Sequence, residues 1–167
     1  VRERPAVVPL SYAQRRLWFI DRLEGPGATY NVPLVLRLTG EIDRPALRAA
    51  LRDLTTRHES LRTVYPEHDG VPCQHVLDPV AGAPELEEAH VAPDALRAAV
   101  EETVLPGFDL ATRPPLRVRL LTTGPDTAAL VLVMHHITGD GWSHAPMLRD
   151  LSAAYAARRA GEPPQWQ

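Results

Sequence analysis

The chain has no lysine. All 18 of its basic residues are arginine, so it offers no Schiff-base amine, no pyridoxal anchor and no P-loop lysine. An arginine-only composition also fits the codon bias of a GC-rich genome and carries no mechanism of its own. Cysteine is nearly absent as well. Cys73 stands alone, which rules out an internal disulfide and a multi-cysteine zinc site and reads as inert packing. No apolar run approaches the roughly 20 residues of a membrane span. The N-terminal stretch VRERPAVVP lacks the apolar segment of a signal peptide, so the expected location is cytoplasmic. A net charge of −3 and a pI near 6.2 supply no electrostatic drive toward nucleic acid or an anionic membrane.

At 167 residues the chain fits one domain, large enough to bury about two-thirds of its unfolded surface. Ser11 followed by Gln14 is a capping-box pattern, and Ala13, Leu17 and Ile20 keep helical spacing until Gly25. Residues 32–39 read as a strand. Asp43 and Pro45 then open a second helix with Leu47, Ala50, Leu51 and Leu54 on one face. Short strands are expected at 61–65, 74–77 and 85–91, and a third helix from about Pro93-Asp94 to just before Pro106-Gly107. Leu116, Val118 and Leu120 alternate with Arg117 and Arg119, the pattern of a strand with one wet face. Residues 128–134 are continuously apolar, which suits a strand buried on both faces. A last helix runs from about Ser143 to Arg159, and Gly161 with Pro163-Pro164 ends it. Hairpin-like pairs interrupt the alternation of strands and helices. The expected fold class is therefore α+β, an α/β two-layer sandwich whose mixed sheet carries its helices largely on one face, rather than a pure Rossmann arrangement.

The most informative segment is VLVMHHITGDGWS, residues 131–143. Two adjacent histidines leave an apolar strand and meet an Asp-Gly pair four residues later. Strand neighbours point to opposite faces, so His135 and His136 cannot serve the same space, and one of them should face the protein interior. The spacing HHxxxDG resembles the signature of condensation domains in nonribosomal peptide synthetases. SYAQRRLWFIDRL (11–23) and RHESLRTVY (57–65) resemble that family's first two motifs, and YNVPLVLRLTGEID and FDLATRPPLRVRLL also resemble family segments in the expected order.

The resemblance implies a chloramphenicol acetyltransferase-like lobe, the N-terminal half of a two-lobe domain whose active site lies in a tunnel between lobes. Residues 1–167 would then be half an enzyme, with the C-terminal lobe as its partner and the isolated lobe inactive. The implied chemistry is peptide-bond formation between a donor thioester and the amine of an acceptor aminoacyl thioester. Both substrates are tethered through phosphopantetheine to peptidyl carrier proteins, and no cofactor is bound directly. Adjacent synthetase domains are further partners. His136, the second histidine of the pattern, is expected to orient the amine and take up its proton, with the backbone N–H of Gly141 as a candidate oxyanion donor. His135 is expected to support the turn, and Asp140 to form a buried ion pair with Arg62 of RHESLRT.

Other readings of these residues remain. His136, Asp140 and His144 recur every four residues and would share one face of a helix as metal ligands, but Ile137, Thr138, Gly139 and Gly141 are poor helix formers and the preceding run demands a strand. No metal is expected. Heterocyclisation domains carry paired aspartates in place of the histidine motif, and epimerisation domains usually place serine before tryptophan where this chain has Trp142-Ser143. A catalytically inactive condensation-like module that recruits tailoring enzymes, or another HxxxD acyltransferase, stays open as the alternative.

Overall fold

The computed structural model describes residues 7–166. Residues 1–6, which make up most of the stretch weighed above for a signal peptide, lie outside them, as does Gln167. The elements run β1 (Val8–Pro9), α1 (Tyr12–Glu24), β2 (Asn31–Thr39), α2 (Arg44–Arg57), β3 (Thr63–Val64), β4 (Glu67–His68), β5 (Val71–Val76), β6 (Leu86–His90), α3 (Leu96–Val104), β7 (Leu116–Gly124), β8 (Thr127–His135) and α4 (His144–Arg159). Short 3-10 turns at Glu59–Arg62, Pro93–Ala95 and Gly141–Ser143 precede β3, α3 and α4. The main sheet has the order β2-β8-β7-β6, antiparallel except for the β6–β7 pair. A small antiparallel sheet gathers β1, β3 and β4 around β5. The class is α+β with a mixed sheet, as the sequence indicated. Among the described residues no helix is long and apolar enough to cross a membrane.

Local chemistry sets the helix ends. Ser11 Oγ accepts from Gln14 N–H at 3.2 Å while Gln14 Oε1 accepts from Ser11 N–H at 2.9 Å, so α1 begins with two orphan donors satisfied reciprocally. It stops at Gly25, whose φ of 81° an L side chain rarely adopts. Asp43 caps α2 by accepting from Ala46 N–H at 2.9 Å.

β8 sits between β2 and β7 and divides its side chains between two cores. Ala128, Leu130, Leu132 and Met134 pack with Leu47, Leu51 and Leu54 of α2 and Met147 and Leu151 of α4. Ala129, Val131 and Val133 pack with Tyr65, Phe108 and Leu110 and with Ala99 of α3. The expectation of helices largely on one face therefore needs correction. The two longest, α2 and α4, share one face, but α3 packs on the other, with Leu17 and Trp18 of α1 against the same core. A central strand with no polar face requires cover on both sides, at about 2 kcal/mol for each large apolar side chain withdrawn from water. The wet face expected on β7 is likewise covered. Arg117 donates to the carbonyls of Thr103, Pro106 and Gly107 at 2.9, 3.1 and 3.0 Å and lies over the Phe108 ring, and Arg119 donates to Thr103 Oγ1 at 3.3 Å. Arg117 satisfies carbonyls at and beyond the end of α3, Arg119 reaches the Thr103 hydroxyl, and both are half-buried.

Charged ties join α2 to α4. Arg158 grips Asp53 with two hydrogen bonds of 2.7 Å. Nearer the site, Asp150 is 5% exposed and accepts from Arg57 Nε at 2.8 Å and Arg149 Nε at 3.3 Å, with His58 Nε2 at 2.8 Å. Burial pushes the Asp150 carboxyl up, but the hydrogen bonds from His58, Arg57 and Arg149 outweigh it and hold the pKa below its ordinary value. Removing this carboxylate strands its partners, so Asp150→Ala should cost about 3 kcal/mol in urea melts. A depressed folded pKa means the Asp150 contribution is complete above about pH 3.9 and is lost as pH falls through the folded value. Asp150→Asn should flatten that acid limb, and an unchanged limb would count against the assignment.

Candidate functional site at the end of the central strand

The apolar run of β8 ends at His135, and the chain turns immediately. His135 is 1% exposed. Its Nδ1 accepts from Ile137 N–H at 3.1 Å, which leaves the proton of the neutral ring on Nε2. Its carbonyl accepts from Thr138 N–H at 3.0 Å and Thr138 Oγ1 at 2.9 Å. The rings of Tyr30 and Phe108 stand 6.0 and 6.2 Å away. Burial first, and the neighbouring His136 second, push the His135 pKa down to about 4. His135 is thus a neutral buried group that accepts a hydrogen bond from the backbone of the turn.

His136 lies outside that core. Its backbone N–H donates to Tyr30 O at 2.8 Å, which prolongs the β2–β8 pairing by one step. The imidazole is exposed and takes no hydrogen bond from the described residues. Gly139 is tightly covered, since a Cβ there would lie 2.7 Å from Ser143 Oγ. Asp140 Oδ1 accepts from the N–H groups of Trp142 and Ser143 at 3.1 and 3.3 Å and from Ser143 Oγ at 3.2 Å. Ser143 Oγ in turn accepts from Asp140 N–H at 3.2 Å, which completes a capping box. The N–H of Gly141, the first residue of that 3-10 turn, is used in none of the turn's hydrogen bonds.

The expected pair of Asp140 with Arg62 is not formed. Arg62 donates to Thr55 O at 3.0 Å, to Leu77 O and to Glu59 Oε1 at 3.5 Å. Its stem is packed under Gly82, where a Cβ would come within 2.5 Å of Arg62 Cβ. Carbonyls near the end of α2 and after β5 satisfy the guanidinium, and backbone donors of its own turn satisfy the Asp140 carboxylate. The second motif reaches the turn through Tyr65 instead. Fully buried, Tyr65 donates from its hydroxyl to Ile137 O at 3.4 Å, and burial pushes its pKa up to about 12. Trp18 of α1 donates to Tyr65 O at 3.2 Å, so the first motif braces the second. Asn31 lies opposite His135 in the strand register and donates to Val104 O at 2.6 Å and Pro106 O at 2.9 Å. Tyr65, Asn31 and the His58–Asp150 contact escaped the reading of spacings because each acts across at least 72 residues of chain. Among the described residues no three of His, Cys, Asp and Glu converge as metal ligands.

A protein-family model described as the condensation domain matches residues 5–167. The chain belongs to the condensation-domain family. It is 52% identical over 164 residues to a dimodular nonribosomal peptide synthase of Bacillus subtilis (strain 168), covering 98% of this chain and 7% of that protein. It is 50% identical over 167 residues to an isonitrile lipopeptide synthase of Mycobacterium tuberculosis (strain ATCC 25618 / H37Rv), again covering 98% of this chain and 7% of the relative. Among solved structures it resembles the X-domain of teicoplanin biosynthesis in complex with OxyB, with a TM-score of 0.92 and 36% identity over 100% of this chain and 36% of that one. The chain corresponds to the N-terminal lobe of a condensation domain and spans a small part of the synthetases it matches.

These contacts generate two tests. His135 binds a proton in the unfolded chain at an ordinary pKa near 6.5 but resists it when folded, down to about 4. Its contribution, on the order of 3 kcal/mol, is therefore complete above about pH 6.5 and is lost as pH falls toward 4. His135→Asn, which keeps an acceptor for Ile137, should remove that slope from the melting midpoint. Asp140→Ala should cost about 1 kcal/mol, as loss of an exposed cap does, and its effect should add to that of Arg62→Ala in a double-mutant cycle. Strong coupling between the two would restore the ion pair.

Proposed function

We propose that this lobe supplies the histidine half of a condensation site that joins a donor acyl or aminoacyl thioester to the amine of an acceptor aminoacyl thioester. Both substrates arrive on the phosphopantetheine arms of carrier proteins, a C-terminal lobe forms the opposite wall, and neighbouring synthetase domains deliver the carriers. The observation that carries this reading is the unpartnered, exposed imidazole of His136 one residue beyond the buried strand.

An α-amino group has a pKa near 7.7 to 8.0, so about a fifth to a third is neutral near pH 7.4, and generating the nucleophile costs only about 1 kcal/mol. The nitrogen lone pair attacks the donor carbonyl carbon, a C–N bond forms, and the carbonyl electrons move to oxygen. The N–H of Gly141, unused within its own turn, would donate to that oxyanion. The cationic nitrogen gives its proton to the His136 imidazole. As the carbonyl re-forms, the C–S bond breaks and the proton passes to the departing thiolate, leaving an amide and a free thiol. Positioning and proton relief at His136 matter more here than strength as a base.

The likeness to the X-domain favours a second reading, in which the lobe belongs to a domain that binds another protein without catalysis. The two readings separate in one experiment on the two-lobe domain with loaded donor and acceptor carriers. His136→Ala should lower dipeptidyl thioester formation by about 100-fold or more and leave the melting midpoint nearly unchanged. No dipeptide from the unsubstituted domain would leave the binding-module reading, whereas full activity in His136→Ala would remove the imidazole from the chemistry.

A further inference from the structure

On the face of the main sheet away from α2 and α4, a cleft of about 490 Å³ opens between the second half of α1, the start of β4 and the stretch that follows α3. Trp18, Tyr65, Phe108 and Leu110 give it an apolar lining. Its walls are tied to one another. Trp18 Nε1 donates to Tyr65 O at 3.2 Å, and Tyr65 N–H donates to Leu110 O at 2.7 Å. A Cβ on Gly107 would fall 2.5 Å from the carbonyl carbon of Pro26, so the stretch after α3 lies directly against the residues that follow α1. The cleft is therefore preformed, and its volume is that of a site for a whole small molecule, about 300 to 1,000 Å³.

The charges in this lining are unevenly matched. Arg22 donates to Glu67 Oε1 at 2.8 Å and stands 5.5 Å from the centre of the Trp18 ring. A cation on an aromatic face with a carboxylate beside it is thus a combination the cleft already holds once. Asp21 has similar surroundings and no such cation of its own: it is half-buried and takes no hydrogen bond from the described residues. Burial pushes its carboxyl up, Arg22 draws it down, and the nearby Asp109 charge pushes it up again. The Asp109 oxygens accept from Ala111 N–H at 3.1 Å and from Thr112 Oγ1 at 2.5 Å, so that second carboxylate is fixed in place by its own turn. Three carboxylates and one guanidinium line the cleft. The excess negative charge favours a cation and opposes any ligand with a carboxylate of its own, while the rings favour an apolar body.

We propose that this cleft binds a small arylalkyl ammonium ion, its nitrogen on Asp21 and its apolar body among Trp18, Tyr65 and Phe108. The occupant lies one side chain away from the motif turn, because Phe108 stands 6.2 Å from His135 and Tyr65 donates to Ile137 O. The inference does not depend on the peptide-forming reading. Calorimetric titration of the two-lobe domain with phenethylammonium, phenylalanine and 2-phenylethanol tests it. Phenethylammonium should bind saturably at one site, and the zwitterion and the neutral alcohol about tenfold or more weakly. Asp21→Asn should weaken phenethylammonium about tenfold without moving the melting midpoint. Ala111→Trp, which narrows the cleft and leaves every carboxylate in place, should weaken phenethylammonium and phenylethanol alike. Equal binding of the three probes, or binding indifferent to both substitutions, would overturn the assignment. So would the absence of phenethylammonium binding, and saturable binding of triarginine in its place would make the cleft a contact for another polypeptide instead.

Discussion

From Ala128 to His135 no residue of β8 keeps more than 5% of its surface, because neighbouring strands close both edges and separate cores close both faces. A strand this dry admits no polar side chain without a partner. His135 meets that condition by staying neutral and accepting from the backbone of the next turn. His136, one step later, is in contact with water. The burial of a single strand thus fixes both the position of the exposed imidazole and the different characters of two chemically identical neighbours.

The surroundings hold this strand end from several directions. Tyr65 secures Ile137 from the side of the small sheet, and Asn31 ties the edge strand to the end of α3. Asp150 joins α4, which continues from the motif turn, to the last turn of α2. The Tyr65 and Asp150 contacts link segments distant in sequence to the stretch between residues 135 and 150, and Asn31 holds the strand paired opposite His135. Long-range polar contacts of the same kind tie other parts of the lobe, as Arg158 does with Asp53 and Arg22 with Glu67.

Much of this was legible in the residues. The capping pair Ser11 and Gln14, the Asp43 cap and the uninterrupted apolar run before the histidines gave helix starts and the buried strand within a residue or two, because those signals are local. Strand alternation indicated that His135 and His136 face opposite ways, and the family resemblance named His136 as the functional one. The partner of Arg62 was not legible, since spacing names a charge but not its acceptor, and main-chain carbonyls carry no mark in the sequence. Arg117 and Arg119 misled for a related reason. Alternation with leucine and valine resembles a solvated face, and nothing local reveals that the end of α3 will lie over it.

The step from His135 to His136 also gives the site a direction. With its basicity suppressed to about 4, His135 is a poor receiver for any charge that gathers on its neighbour, and a cation at His136 depresses it further. The Tyr65 hydroxyl behind the turn, pushed up to about 12, keeps its own hydrogen at any ordinary pH. The inner side of the turn thus carries no group that changes its charge near neutral pH. The exposed imidazole of His136 opens to solvent, while its inner neighbours His135 and Tyr65 keep their protonation states near neutral pH.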